Sequence, residues 1–256
     1  MKLSDKNAID EFFKNRKNFK EGIFASITDC KKDTYLNYGG IVLKDVFYID
    51  SLSILDVFTS SNFENHLKFL KNCLTESNLD IFDNKINDKI IHLEESINKI
   101  LNGYFVYEKG EFNFISSSNV KSQIYNTASG IKQIGIIQLL LANRQLKDNC
   151  VLIIDEPEVN LHPEWQMKFA EILTLIASRL NVSIYINTHS PLFVEAVNTF
   201  ADYYDLSDET TYHLAERKGD LYDIHEIPED NLSKLYDNLG RPYLKLDMLK
   251  IQKERE

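Results

Sequence analysis

The sequence predicts an α/β fold in which parallel strands alternate with helices. Residues 151–154 are four consecutive apolar residues that run into Asp155, which is typical of a strand buried on both faces of a sheet. Residues 182–186 form a second strand pattern, and apolar residues between the two strands recur at helical spacing. A strand, a helix and a second strand in this order indicate a crossover between parallel neighbours.

The N-terminal part, residues 1–60, is expected to form a helix followed by short antiparallel strands. Ser4 and Asp5 can cap the helix, because their side-chain oxygens accept hydrogen bonds from its first free amides. Four short strand patterns follow, separated by Asp, Lys and Gly residues that favour turns. These strand candidates are residues 22–28, 34–38, 41–43 and 46–49.

A helical insert is expected over residues 61–102, because its apolar residues recur at helical spacing in a polar background. Gly103 stands where this helical stretch would end. Residues 104–108 and 111–115 then flank Lys109-Gly110, and this arrangement predicts a β-hairpin.

Residues 103–200 are expected to contain the core of the protein. A helix over residues 129–141 precedes the buried strand. Pro163 suits the first position of the helix between the two parallel strands, since proline lacks only an amide that a helix start leaves free. Ser190 and Pro191 suit the cap and the first residue of the following helix.

The C-terminal part, residues 201–256, is expected to add a hairpin and two short helices. The hairpin turns at Lys218-Gly219, where glycine can adopt the left-handed backbone conformation of a tight turn. The expected strands are residues 211–215 and 221–227, and the expected helices are residues 231–239 and 243–251.

The composition is that of an ordinary globular protein, with 43% hydrophobic and 27% charged residues. A formal net charge of −10 argues against a generally basic surface, so nucleic acid would have to bind through a local patch. No stretch approaches the roughly 18 apolar residues of a membrane span. Cys30, Cys73 and Cys150 lack metal-ligand spacing and are interpreted as reduced thiols, which predicts a cytoplasmic protein.

Two adjacent acids, Asp155 and Glu156, stand at the expected end of the buried strand, where parallel sheets bind ligands. One such carboxylate can help to hold Mg²⁺ beside a triphosphate while the next polarises an attacking water. Pro157 stops the strand from continuing through the site. Thr188-His189-Ser190-Pro191 follows the next predicted strand.

Residues 155–163, Asp-Glu-Pro-Glu-Val-Asn-Leu-His-Pro, and residues 187–191, Asn-Thr-His-Ser-Pro, together resemble the ABC-type AAA ATPases of the RecF/SMC-like and OLD-like group. Residues 128–133, Ala-Ser-Gly-Ile-Lys-Gln, are similar to this group's ABC signature, although Ile131 replaces the second glycine of the common Leu-Ser-Gly-Gly-Gln. The resemblance is strongest over residues 120–200. It implies part of a P-loop NTPase core of the ABC type, with ATP and Mg²⁺ as cofactors.

Three residues receive catalytic roles from this resemblance. Asp155 would be the Walker B acid linked to Mg²⁺, and Glu156 would be the general base or would orient the attacking water. His189 would be the switch histidine that reaches the γ-phosphate, since a neutral imidazole can donate a hydrogen bond there.

Further residues receive binding or interface roles from the same resemblance. Ser129 and Gly130 would contact the nucleotide of the opposite protomer, at a helix start where free amides favour phosphate. Asn160 would lie in the segment that passes along the dimer interface. His162 is interpreted as an interface or structural residue. The resemblance therefore implies that catalysis requires a dimer.

The 256 residues contain no Gly-x-x-x-x-Gly-Lys-Ser/Thr loop, the element that cradles phosphates in such ATPases. Three explanations stay open: an ATPase whose P-loop segment was lost or is separately encoded, a degenerate subunit, or phosphate binding of an unrecognised kind. The first is preferred, because a subunit under no catalytic constraint would have little need for Glu156, His189 and the Ser129-Gly130 turn together.

The expected partner is a second copy of the chain or a chain that carries a P-loop. The alternative function is a regulatory or interaction subunit that does not hydrolyse ATP. A nuclease-coupled ATPase of the OLD type ranks lower, because residues 190–256 are too few for a full nuclease domain.

Overall fold

The computed structural model describes residues 36–38, 41–43, 46–49, 65–77, 84–123, 129–147, 150–219, 221–228 and 231–254. The helix expected from Ser4 and the strand expected over residues 22–28 lie outside these ranges. The elements, in chain order, are β1 (Leu36–Tyr38), β2 (Ile41–Leu43), β3 (Val46–Ile49), α1 (Asn65–Thr75), α2 (Asn84–Leu101), β4 (Gly103–Glu108), β5 (Glu111–Ser116), β6 (Lys121–Gln123), α3 (Ser129–Ala142), β7 (Val151–Asp155), α4 (Pro163–Arg179), β8 (Ser183–Asn187), α5 (Pro191–Tyr203), a 3₁₀ turn (Ser207–Glu209), β9 (Tyr212–Lys218), β10 (Leu221–Ile227) and α6 (Ser233–Glu254).

Strands β3, β7 and β8 form a parallel sheet in that order, which confirms the predicted α/β class. Val151 of β7 is paired with Val46 of β3 on one side and with Ser183 of β8 on the other. Leu152 and Ile154 of the middle strand are buried. Strand β7, helix α4 and strand β8 therefore form the predicted crossover unit, and their register fixes which residues end the two strands side by side.

The antiparallel pairing expected for residues 46–49 is wrong. Strands β1 and β2 do pair antiparallel, but β3 runs parallel to β7. Phe47 and Ile49 are only 1% and 2% exposed and belong to the same core as Leu152 and Ile154. Burial of these large side chains against the central sheet outweighs pairing with the neighbouring short strands.

Helix α3 lies in the interior, and every residue from 132 to 141 is buried. A helix that is apolar on most sides needs partners on most sides, and α3 contacts α1, α2, α4 and β4. Helices α4 and α5 pack together through Phe169 and Phe193, whose rings meet edge to face with centroids 6.2 Å apart. The core thus extends from the parallel sheet through α3 to the helical insert.

Strands β4, β5 and β6 form a separate antiparallel sheet, as the hairpin pattern predicts for the first two. Lys109 and Gly110 have φ angles of 53° and 85°, the left-handed conformations that a two-residue hairpin turn requires. The role expected for Gly103 is wrong, because α2 ends at Leu101 and the left-handed residue after it is Asn102, with φ 55°. Asparagine tolerates this conformation better than most residues.

Gly135 on α3 faces the ring of Phe105, which leaves no room for a side chain. A Cβ at this position would lie 2.9 Å from two atoms of that ring. We expect Gly135→Ala to lower the free energy of unfolding by about 1–3 kcal/mol, because overpacking outweighs the better helix propensity of alanine. Urea unfolding would measure this, with Gly240→Ala as the control because nothing lies within 4 Å of a Cβ there. Equal stability of wild type and Gly135→Ala would contradict the close packing.

The C-terminal hairpin of β9 and β10 is confirmed, and it packs on α5 through a small second core of buried residues: Val194, Ile227, Leu232 and Leu235. The two short helices expected after it are wrong, since α6 is continuous from Ser233 to Glu254. Pro242 inside this helix lacks one amide hydrogen, which weakens a helix locally without having to end it. Among the described helices, none has the length and apolar character that crossing a membrane requires.

Candidate functional site

The C-terminal ends of β7 and β8 lie side by side and bring Asp155 next to Asn187. These two residues are register partners, and the Asn187 amide nitrogen Nδ2 donates to Asp155 Oδ1 at 2.6 Å. The buried residues Leu152 and Ile154 fix β7 in the sheet, so Asp155 emerges at the strand end with little freedom. Asn187 thereby orients one carboxylate at the edge of the sheet.

Glu156 follows directly and holds an unusual backbone conformation. Its φ angle is 47°, in the left-handed region that non-glycine residues seldom occupy. Its N–H donates to the carbonyl oxygen of Asn187 at 2.8 Å, and this is the last backbone hydrogen bond between the two strands before the turn. Strained backbone of this kind costs about 1–3 kcal/mol and is concentrated at functional sites.

The loop from Glu156 to Leu161 is built from two overlapping turns. The N–H of Val159 donates to the Glu156 carbonyl oxygen at 3.1 Å, and the N–H of Leu161 donates to the Glu158 carbonyl oxygen at 3.0 Å. Asn160 has a φ angle of 61° and is exposed, while Leu161 is buried and anchors the loop. The loop is therefore an ordered connection between β7 and α4.

Helix α4 begins where the sequence predicts, with Pro163 at its first position. His162 caps it, because its Nδ1 accepts the N–H of Glu164 at 3.3 Å. This contact gives His162 a structural role, which is consistent with its interpretation from sequence.

His189 lies beside Glu156 across the gap between the two loops. Its Nε2 is 3.6 Å from Glu156 Oε1, and the two side chains are 73% and 46% exposed, so both are open to solvent and to a ligand. The backbone N–H of His189 donates to Glu158 Oε1 at 2.7 Å. The loop after β8 is therefore tied to the loop after β7 by a side chain as well as by the strand pairing.

Ser190 caps α5 as predicted, since its Oγ accepts the N–H of Phe193 at 3.2 Å. The same hydroxyl donates to Gln166 Oε1 at 2.8 Å, and Gln166 Nε2 donates to the Leu161 carbonyl oxygen at 3.2 Å. Gln166 on α4 thus links the end of the acid-bearing loop to the start of α5.

The structure brings Asp155, Glu156 and His189 into one group, and Asn160 belongs to the loop that leaves this group. Ser129 and Gly130 form the first turn of α3, as expected from sequence. Their part in binding a nucleotide stays a prediction, as do the roles of the other four residues. Among the described residues, no three His, Cys, Asp or Glu side chains are grouped so that they could hold a metal ion by themselves.

Three residues of this site were not singled out from the sequence: Asn187, Glu158 and Gln166. Asn187 was missed because the predicted strand ended one residue early, at 186, whereas β8 ends at Asn187. Counted from the predicted start at residue 182, the partner of Asp155 would be Ile186, whereas the structure pairs Asp155 with Asn187. Glu158 and Gln166 gave no local signal, because their contacts depend on how two loops and a helix pack.

A family model described as an AAA ATPase domain matches residues 3–194 of the chain. The chain is 38% identical over 72 residues to an OLD nuclease of Thermus scotoductus, a match that covers 28% of this chain and 13% of that protein. The matched region is therefore a small part of that relative.

Solved structures with a similar fold include the SMC head domain from Thermotoga maritima, with 12% identity and a TM-score of 0.40 over 63% of this chain and 52% of that one. An SmcHead bound to the C-winged helix domain of ScpA gives 11% identity and a TM-score of 0.45 over 72% of this chain and 55% of that one.

Proposed function

Because the chain belongs to the AAA ATPase domain family, whose model matches residues 3–194, we propose that it is the ATP-binding and ATP-hydrolysing module of an ABC-type ATPase. The observation that carries the proposal is the group of Asp155, Glu156 and His189 at the ends of β7 and β8. In this proposal the module works as a nucleotide-gated dimer. The phosphate cradle comes from a P-loop outside the 256 residues.

Asp155 is proposed to bind Mg²⁺ that accompanies ATP. Carboxylate oxygens suit this ion, which is usually held by one or two carboxylates together with phosphates and water. Asn187 donates to one oxygen of Asp155 and so orients the carboxylate, the usual contribution of a residue behind a metal ligand. Bound Mg²⁺ would neutralise charge that develops on the phosphates.

Glu156 is proposed to act as the general base or to orient the attacking water, and His189 to contact the γ-phosphate. The support is that both side chains are exposed and lie together, with 3.6 Å between His189 Nε2 and Glu156 Oε1. A water or a phosphate oxygen placed between them would meet an acceptor on one side and a donor on the other. This pairing of groups suits the hydrolysis of a phosphoanhydride.

Ser129, Gly130 and Asn160 are proposed to act at the interface between two protomers. Ser129 and Gly130 form the first turn of α3, and free amides at a helix start favour phosphate. Asn160 is exposed on the loop that leaves Glu156, so a second protomer could reach it. In this arrangement each nucleotide would contact both protomers.

The purified 256-residue chain is expected to hydrolyse ATP at a negligible rate and to bind it weakly. Phosphoryl transfer depends on positioning the triphosphate, and the 256 residues contain no Gly-x-x-x-x-Gly-Lys-Ser/Thr motif that could do so. A phosphate-release assay with Mg²⁺-ATP would measure the rate, with Glu156→Gln as the matched control. Robust turnover by this chain alone that disappears in Glu156→Gln would contradict the need for an external P-loop.

The complementary experiment supplies the P-loop. The DNA upstream of the coding sequence is read for a P-loop-bearing segment, and that segment is produced together with this chain. Turnover that appears only in the combination, and that Glu156→Gln removes, would support the module. The absence of any such segment and of turnover in every combination would argue for the alternative function below.

The alternative is a regulatory or interaction subunit that dimerises without turnover, and the lack of a P-loop motif favours it. The two functions differ in how association depends on nucleotide. Light scattering of the chain together with a P-loop-bearing segment would show association that requires Mg²⁺-ATP for the ATPase module. For the regulatory subunit, the chain would associate without nucleotide. A separate nuclease partner is a lower-ranked proposal, since the likeness to OLD nuclease covers 13% of that protein.

A further inference from the structure

We infer that Glu158 is a positioning residue, which holds the loop that carries His189 against the loop that carries Glu156. This inference rests on the function proposed above and adds a residue to it. Its central observation is the hydrogen bond from the His189 backbone N–H to Glu158 Oε1, at 2.7 Å. A hydrogen bond to a charged acceptor is stronger than one between neutral groups, so this contact can define where the His189 backbone lies.

The Glu158 backbone is itself held in place. Its carbonyl oxygen accepts the N–H of Leu161 at 3.0 Å, and Leu161 is buried. Glu158 also lies within the turn that the Val159 N–H closes by donating to the Glu156 carbonyl oxygen. Glu158 therefore presents its carboxylate from an ordered loop, as a group that positions a neighbour must do.

The second carboxylate oxygen of Glu158 supports a functional origin for this contact. Oε2 is buried and has no hydrogen-bond partner among the described residues. A buried carboxylate oxygen without a partner opposes folding, so a residue kept for stability alone would be a poor choice at this position. The presence of glutamate at this position is instead explained by the hydrogen bond that Oε1 accepts from the His189 amide.

The consequence of the contact is the spacing between His189 and Glu156. Glu156 precedes Glu158 on one loop, and the amide of His189 bonds to Glu158 from the other, so Glu158 joins the two residues whose side chains are 3.6 Å apart. Small displacements of catalytic groups are costly, and a shift of about 1 Å can reduce a rate about a hundredfold. Glu158 acts through His189 and needs no contact with substrate.

The loss of Glu158 should leave the fold intact, because the same loop is tied down a second time. Ser190 donates to Gln166 at 2.8 Å, and Gln166 donates to the carbonyl oxygen of Leu161. This second link lies one residue beyond His189 and does not hold its amide. A Glu158 variant therefore tests the position of His189 separately from the docking of α5.

The test measures hydrogen exchange at the His189 amide by NMR in the full chain, without nucleotide. Glu158→Ala is expected to raise this exchange rate about tenfold or more, because it removes a charged acceptor, while the amide of Val194 in α5 keeps its rate. Glu158→Gln should restore slow exchange, since the amide oxygen of glutamine can accept the same hydrogen bond. Glu164→Ala is the charge-matched control, because Glu164 is exposed and lies on α4.

In an active assembly that includes a P-loop, Glu158→Ala is expected to lower kcat about tenfold with a smaller change in KM, and Glu158→Gln to recover most of the rate. Unchanged exchange at His189 in Glu158→Ala, or a Glu158→Gln variant as impaired as Glu158→Ala, would overturn the inference. If Glu158→Ala does not fold, Glu158→Asp gives the same contrast because its shorter side chain withdraws the acceptor. Failure to obtain any active assembly would count against the proposed function, whereas the exchange rates would still decide the role of Glu158.

Discussion

In an assembly completed by a P-loop, Glu156→Gln is expected to slow ATP turnover about 10²- to 10⁴-fold, the usual contribution of a general base. Glutamine has nearly the same shape as glutamate but does not take up the proton of the attacking water. Its side-chain amide can still lie beside His189, whose Nε2 is 3.6 Å from Glu156 Oε1 in the wild type. The loss should therefore fall on the chemical step rather than on the fold or on nucleotide binding.

Single-turnover kinetics would measure this step, and a fluorescent nucleotide titration would measure affinity. We expect the affinity for ATP to change by less than about threefold, because binding of ATP in the ground state does not require the base. Glu164→Gln is the control, since this exposed acid on α4 lies outside the group. A Glu156→Gln variant that keeps full turnover would remove Glu156 from the proposed mechanism.

Phe169→Ala is expected to lower the free energy of unfolding by about 3–5 kcal/mol, the usual cost of removing a fully buried aromatic side chain. Phe169 is 0% exposed and joins α4 to α5 by its edge-to-face contact with Phe193. The loss combines the apolar surface no longer buried with the cavity left between the two helices.

Chemical denaturation of the chain would measure the effect, and Met167→Ala provides a control two positions away. Met167 is 46% exposed, so its truncation should change stability by less than about 1 kcal/mol. The double variant Phe169→Ala with Phe193→Ala should cost less than the sum of the single variants, because the two rings contact each other. Equal effects of Phe169→Ala and Met167→Ala would show that the α4–α5 contact is not part of the core.

Several parts of the fold could be predicted because local patterns determine them. The run into Asp155 identified β7, and Pro163 and Ser190 marked the starts of α4 and α5 within a residue. The pairing of β3 could not be predicted, because its partner is distant in sequence and short apolar strands look alike in either orientation. Continuation of α6 past Pro242 also could not be predicted, since proline disfavours a helix interior without forbidding it.

In the candidate site, too, some residues could be predicted from the sequence and others could not. The neighbourhood of Asp155, Glu156 and His189 is explained by parallel strands that end at one edge of a sheet, and before the structure it was expected from the family resemblance. The contacts made by Glu158 and Gln166 arise from loop conformation and helix packing. No periodicity or motif encodes those distances, and the structure was needed to find them.

Because the backbone at Glu156 is left-handed, selection for stability and selection for activity would favour different residues at this position. Glycine would adopt a φ of 47° without the steric cost that a side chain brings, so a search for heat-resistant variants would favour glycine at this position. If Glu156 has the role proposed above, a search for turnover would reject the same variant, because the carboxylate would be gone. The role proposed for Glu156 therefore makes it a position at which selection for stability alone would be a poor guide to engineering this protein.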